Sequence, residues 1–352
     1  MRHIIVVTLA FAALHFTLSI TGAAQPVALA NAMPRSQDSI RVLDETGPYT
    51  IYLPLVSRVV LSPSADLLYN GGFEGEYRFH QGNSRRIVAY GWTPWYTKER
   101  QYDIEFPEYK PAELSPDPLR VRTGERAQQY FSFWLTHIAG VYQRVMVLTD
   151  TRVTFSVWGH AWSSTDNSPR PSVNPTHMRM KIGIDPKGGT DPFDPGIVWS
   201  NEQNAIDEYT YFSVDAWAQG GRVTVFLHSA PDEPRKHNDV YWDDALLTAL
   251  VPDGIAVRAP NPDATITFDN DHPLVSQTVL ITASSAAPLT FIDLRVLTPD
   301  GTNVIPPYVG GQQEANLYLW IWNYTPPISG TYQVVFLADE IAPAWADLFV
   351  GE

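Results

Sequence analysis

Two short motifs hold the residue types best suited to chemistry. Asn70-Gly71-Gly72-Phe73-Glu74 opens a β-rich segment, and Tyr241-Trp242-Asp243-Asp244-Ala245-Leu246-Leu247 closes it. An acid near a first strand and an acidic pair in a last strand could share one hard cation, because the end strands of a β-sandwich often lie close together and such ions take oxygen ligands. Between the motifs, Trp158, His160 and Trp162 are spaced two residues apart. In a strand that spacing puts all three on one face, opposite Val153, Phe155 and Val157. Rings on an open sheet face stack on the apolar faces of sugars, and neighbouring His, Arg and Asp can hydrogen-bond the hydroxyls. The same parity adds His177, Arg179 and Lys181 from one strand and Phe226 and His228 from another, provided that these strands share a sheet. Trp95 and Tyr96 stand at the head of a polar loop, Thr97 to Pro118, where they would rim a cleft. The alternative for each aromatic is burial beneath a loop or against a second sheet.

Other chemistries find weaker support. His228, Asp232, Glu233, His237 and Asp239 crowd one stretch, and imidazole with carboxylate suits zinc or iron. No His-Glu-x-x-His spacing is present, however; the region from Leu227 to Val240 reads as a loop, and Pro231–Lys236 within it as a solvated turn of mixed charge. A glycosidase needs two acids about 5–10 Å apart. Asp103, Glu105, Glu108, Asp207 and Glu208 are candidates, but their spacing singles out no pair. There is no Gly-x-Ser-x-Gly elbow and no cysteine for thiol catalysis. Lys187-Gly188-Gly189-Thr190 lacks the spacing of a phosphate loop.

The elements that must position these residues are strands. The 29 prolines, scattered through 352 residues, disfavour long helices and favour strand-ending turns. Met178, Met180, Ile182 and Ile184 alternate with polar neighbours, as do Val223, Val225 and Leu227. Strands are also expected at 128–134, 141–148, 209–214 and 240–249. Many short strands separated by turn signals predict an antiparallel sandwich. A net charge of −14 argues against a nucleic-acid partner. Residues 1–24 read as a signal peptide, with cleavage after Ala24 or Ala30, and 25–62 as a leader or linker. No later stretch is long and apolar enough to span a membrane, so no transmembrane segment is expected once the signal is removed.

Asn70–Glu74, Gly91-Trp92, Gly140–Val145 and Asp243-Asp244 together resemble the carbohydrate-binding jelly rolls of secreted bacterial enzymes, the CenC-like family 4/9 type. The resemblance runs from about Asp66 to Leu250. It implies a structural calcium tying the first strand to the last, with Glu74 and Asp243 as side-chain ligands and backbone carbonyls around Gly71 and Gly72 completing the shell. By strand parity Asp243 would share an inward face with Ala245 and Leu247, leaving Asp244 outward. The resemblance also implies a ligand cleft on the concave sheet face and a core position for Trp92. Trp322–Tyr332 is similar to the end of bacterial immunoglobulin-like modules, in which a Gly-Thr-Tyr turn starts a late strand. There Tyr318, Trp320 and Trp322 alternate with Leu317, Leu319 and Ile321, and the aromatic side is expected to be core or inter-domain seam.

The expected fold is therefore all-β, a jelly roll over residues 63–252 and an immunoglobulin-like β-sandwich over 253–352. The expected function is secreted or cell-surface, non-catalytic binding of a polysaccharide or glycan. Trp158, His160, Trp162, Arg179, His228, Trp95 and Tyr96 would form the ligand site, and calcium would brace the jelly roll. Two alternatives stand beside it: a structural or adhesive surface protein whose jelly roll contacts another protein, and an extracellular glycoside hydrolase.

Overall fold

Alternation along the chain sets the sheets. Val153, Phe155 and Val157 are fully buried, as are Met178, Met180, Ile182 and Ile184. Val153, Phe155 and Val157 are every second residue of one strand and Ile182 and Ile184 of another, whose side chains alternate between faces, whereas Met178 and Met180 precede that strand across a left-handed residue at Arg179. The computed structural model describes residues 61–352, apart from 116, 253–256 and 340. The expected signal peptide, 1–24, and nearly all of the expected leader, 25–62, lie outside the described residues.

The protein is all-β. One sheet has six strands in the order β11 (Thr210–Trp217), β8 (Arg152–Ser164), β13 (His237–Pro252), β6 (Arg126–Phe133) and β5 (Glu108–Glu113), with β1 (Leu61–Pro63) also paired to β13. A second has five, in the order β10 (Val198–Trp199), β9 (Lys181–Asp185), β12 (Arg222–His228), β7 (Ile138–Met146) and β4 (Thr93–Thr97). A small ribbon joins β2 (Tyr77–Phe79) to β3 (Ile87–Ala89). The two large sheets pack face to face. Between them Trp242 sits against Phe212, with ring centroids 5.3 Å apart, and its Nε1 donates to the Tyr130 hydroxyl at 3.1 Å. Trp92 is fully buried against Phe73, as expected, and its Nε1 donates to the Asn70 carbonyl at 3.1 Å.

A second sandwich follows. One sheet runs β14 (Thr265–Phe268), β15 (Val279–Ser285), β19 (Leu317–Tyr324), β18 (Tyr308–Glu314). Its partner runs β17 (Asn303–Val304), β16 (Ile292–Leu297), β20 (Gly330–Ala338), β21 (Ala344–Val350). The aromatic side of β19 faces the core of its own sandwich. Trp322 is buried, and Trp320 stacks on Phe336 at 5.6 Å. Leu61–Glu352 forms one compact unit. The seam between the sandwiches is ionic and aromatic. Arg295 pairs with Glu76 and Asp293, Arg78 pairs with Asp339, and the Arg258 guanidinium lies 3.9 Å from the Trp345 ring centroid.

Two expectations are corrected. Trp95 and Tyr96 do not head a long loop. They lie within β4, which pairs with β7, and β5 interrupts the supposed loop further on. Likewise β13 begins at His237 rather than near Val240, so His237 and Asp239 belong to a strand and not to the loop region.

Candidate functional site

Residues directly opposite each other in an antiparallel sheet point to the same side. The outer face of the six-stranded sheet can therefore be read in rows. Glu108, Phe131, Asp239 and Trp162 form one row; Lys110, Gln129, Tyr241 and His160 form the next; Asp243, Trp158 and Tyr211 form a third. The outward parity of Trp158, His160 and Trp162 is as the sequence predicts. A strap of chain, residues 117–125, crosses this face. Its Val121 packs with Ala112, Ala127, Trp162 and Tyr241 in a small apolar cluster.

The strap divides the three predicted residues by environment. Trp162 is enclosed, only 6% exposed, stacked 4.0 Å from His237 and capped by the Arg120 guanidinium at 4.3 Å. His160 is 5% exposed, between Tyr209 and Tyr241. Burial pulls its pKa down to about 4, so the ring is neutral near pH 7, and its Nδ1 has no hydrogen-bond partner. Trp158 is half-buried. The Arg122 guanidinium lies 4.0 Å from its ring centroid, and Tyr211, itself 50% exposed, lies 5.2 Å away. Beside this pair opens a cavity of about 290 Å³, lined by Leu119, Val121, Arg122, His160, Asp207 and Glu208, with Tyr209 completing the wall.

Asp239 is a site residue that the sequence reading placed in the wrong setting. It lies under the strap and is almost fully buried. Gln129 Nε2 donates to Oδ2 at 2.7 Å and the Tyr241 hydroxyl at 3.3 Å, while Oδ1 has no hydrogen-bond partner. Burial raises its pKa to about 7. The available signal was the alternation of His237, Asp239 and Tyr241, continuous with the strand that follows. The transition-metal cluster considered for this stretch does not assemble. His228 is on the other sheet and Asp232 pairs with Arg179. Among the described residues no three His, Cys, Asp or Glu side chains gather as a metal site.

The outer face of the five-stranded sheet holds Trp95 and His228. It is closed. Trp95, Phe226 and His228 are each less than 10% exposed, and Trp95 Nε1 donates to the Leu227 carbonyl at 3.2 Å. Ile197 from the β9–β10 connection packs into the same cluster, and Phe193 meets the Trp95 ring edge-on at 6.2 Å. Arg179 lies before β9 with φ of 46° and pairs with Asp232. Tyr96 turns to the opposite side of β4, where its hydroxyl accepts from Arg86 and its ring meets Phe106. The seven predicted ligand residues are thus dispersed over two sheet faces, a loop and the core margin: Trp158, His160 and Trp162 share one face, and Trp95 and His228 share the other.

The two acidic motifs do converge, by a route that strand parity misses. The β13–β8 register shifts between Asp243 and Leu246, and Asp244 takes φ of 50°. This bulge reverses the parity. Asp243 therefore sits on the outer face opposite Trp158, not on the face of Ala245 and Leu247. It is buried nonetheless, because the strap closes over it. Its Oδ2 accepts from the Arg122 and Thr123 amides at 2.8 and 3.2 Å, and burial raises its pKa to about 7. Glu74 accepts from the Glu125 and Arg126 amides at the same strap. Gly71 must be glycine, since a Cβ there would stand 2.3 Å from the Ala245 carbonyl oxygen, and its own carbonyl accepts from Ala245 N at 2.9 Å. Gly72 touches nothing comparable. Two carboxylates and nearby carbonyls match the oxygen donors that calcium takes, and carboxylate oxygens engaged by amides retain further lone pairs.

No family model matches the chain, and no curated protein matches it. Among solved structures, TmCBM61 in complex with β-1,4-galactotriose is similar at 16% identity and TM-score 0.34, over 52% of this chain and 98% of that one. The tandem CBM22 domains of Paenibacillus barcinonensis Xyn10C are similar at 10% identity and TM-score 0.32, over 82% and 97%. The Endo-D glycoside hydrolase domain of Streptococcus pneumoniae R6 is similar at 9% identity and TM-score 0.26, over 73% and 37%. Likeness at these levels says nothing about ligand or chemistry in this chain.

Proposed function

We propose that this is an exported protein that binds a glycan without cleaving it, through the outer face of the six-stranded sheet. The observation that carries the reading is the pairing of Trp158 and the half-exposed Tyr211 with a cavity beside them that Arg122, Asp207 and Glu208 line together with apolar side chains. Stacked rings supply apolar contact, and a few convergent polar groups supply orientation. The first sandwich is in this reading a CenC-like module and the second an immunoglobulin-like companion. The second assignment is supported by Tyr332, whose hydroxyl donates back to the Ile328 carbonyl at 2.7 Å in the manner of a tyrosine corner. A glycan array on the secreted chain tests the proposal. Binding to a defined glycan, with no reducing sugar released on long incubation, is the expected result. Release of reducing ends would replace it with the hydrolase alternative.

A structural calcium belongs to the same proposal. Glu74 and Asp243 would hold it, with carbonyls near Gly71 and Gly72, and its charge would hold Asp243 ionised and lock the strap to β13. At calcium one hundred times its Kd the stabilisation would be about 2.7 kcal/mol. Thermal melts with calcium and with a chelator should then differ by several degrees. Coincident melts would remove the metal from the proposal.

A further inference from the structure

We infer that the cavity beside Trp158 takes a single neutral, hydroxyl-bearing sugar ring and discriminates against acidic sugars. This deepens the glycan-binding reading and rests on it. Three observations combine. The first is size. At about 290 Å³ the cavity is at the small end of ligand pockets, so one ring fills it and a second must lie outside, where the half-exposed Tyr211 stands beside Trp158.

The second is charge. Two carboxylates, Asp207 and Glu208, line the cavity. The guanidinium that lines it, Arg122, is already paired with Asp244 at 2.5 Å and laid on Trp158. Asp207 is fixed in place by the Ser172 amide and hydroxyl, both at 2.7 Å. The nearby cations are also engaged, Arg170 with Asp117 at 3.4 Å and Arg120 over Trp162. Hydroxyl groups can donate to such a lining, whereas a carboxylate on the ligand meets two like charges beside a guanidinium that is already paired.

The third is His160. It is 5% exposed, lines the cavity, and has an Nδ1 with no hydrogen-bond partner among the described residues. A buried polar atom without a partner is costly, and a ligand hydroxyl is a group that can both donate and accept. Leu119 and Val121 supply the apolar wall for the face of the ring.

The test uses the full chain and ligand-observed saturation-transfer NMR, with calorimetry for affinities. The probes are the methyl glycosides of glucose, galactose, xylose and mannose, set against methyl glucuronide and galacturonic acid. Alongside them the array polymers are tested on the same sample. The expected result is saturation of at least one neutral glycoside, with the uronic acids weaker by about tenfold or more. Leu119→Trp, at a position 41% exposed, should fill the cavity and abolish glycoside binding while leaving the melting temperature unchanged. Glu208→Gln should narrow the gap between neutral and acidic probes. Polymer binding without any glycoside binding, equal affinity for uronic acids, or indifference to Leu119→Trp would each overturn the inference while glycan binding itself stands. Failure of every polymer and every glycoside would overturn both.

Discussion

The two outer faces of the first sandwich carry similar residues and reach opposite ends. Each has a tryptophan beside a histidine, Trp158 with His160 on one and Trp95 with His228 on the other. On the five-stranded side the connecting loop contributes Phe193 and Ile197, and the cluster closes into a satellite core. On the six-stranded side the strap contributes Asp117, Arg120 and Arg122 together with Val121, and it covers only part of the face. Trp162 and Asp239 lie beneath it, while Trp158 is only half-buried under Arg122 and Tyr211 is half-exposed. The lesson is that an aromatic strand face becomes a platform or a core according to the segment laid over it.

The sharpest way to break this comparison is Trp95→Ala. Emptying a site that is 7% exposed should cost about 3–5 kcal/mol in urea unfolding, with affinity per folded molecule unchanged. Intact stability with lost glycan binding would exchange the roles of the two faces. Next in size is Asp239→Asn, which probes the covered part of the platform side. The folded pKa of Asp239, about 7, lies above the ordinary value of 3.8, so the folded state holds the proton more tightly than the unfolded one. Its contribution is greatest below pH 4 and is lost as pH rises through 7. The substitution should therefore gain on the order of 4 kcal/mol over wild type at pH 8 and little at pH 4. Buried histidines such as His160, whose pKa is depressed to about 4, act in the opposite sense, losing stability as pH falls below 6.5. They are common to both proteins and cancel in the difference. A pH-independent difference would mean that Asp239 does not titrate beneath the strap.

Trp158→Ala comes third, with glycan affinity falling about tenfold or more in calorimetry. The melting temperature should move by no more than about 4 °C, since the ring is only half-buried. Smallest is Tyr211→Ala, at the exposed margin of the same pair, for which a loss of about threefold, under 1 kcal/mol, is expected. A larger effect for Tyr211 than for Trp158 would shift the centre of the platform outward to the β11 edge.

Much of this was written locally. Alternation placed Val153, Phe155 and Val157 in the core and Trp158, His160 and Trp162 on the outer face, because successive side chains of a strand must point to opposite sides. It also turned Val223, Val225 and Leu227 of β12 inward, and all three are fully buried. β4, β5 and β18 escaped it, being short or carrying Pro94, Pro111 and a Gly310-Gly311 pair that blur the pattern. Parity failed at Asp243, where a bulge adds residues to one strand without a partner across it.

What alternation cannot supply is which sheet receives a strand and what lies over its outer face. Those are long-range facts. Trp95 is held by a carbonyl 132 residues away, and Asp243 by amides about 120 residues away. The sequence by itself determined the strands, the inward and outward sides of most of them, and the all-β class. Only the tertiary structure decided that Trp95 and His228 are core, that Trp158 is accessible beside a cavity, and that Glu74 and Asp243 grip one strap. The physical reason is that strand period is a property of the local backbone, whereas exposure is set by whatever distant segment packs on top.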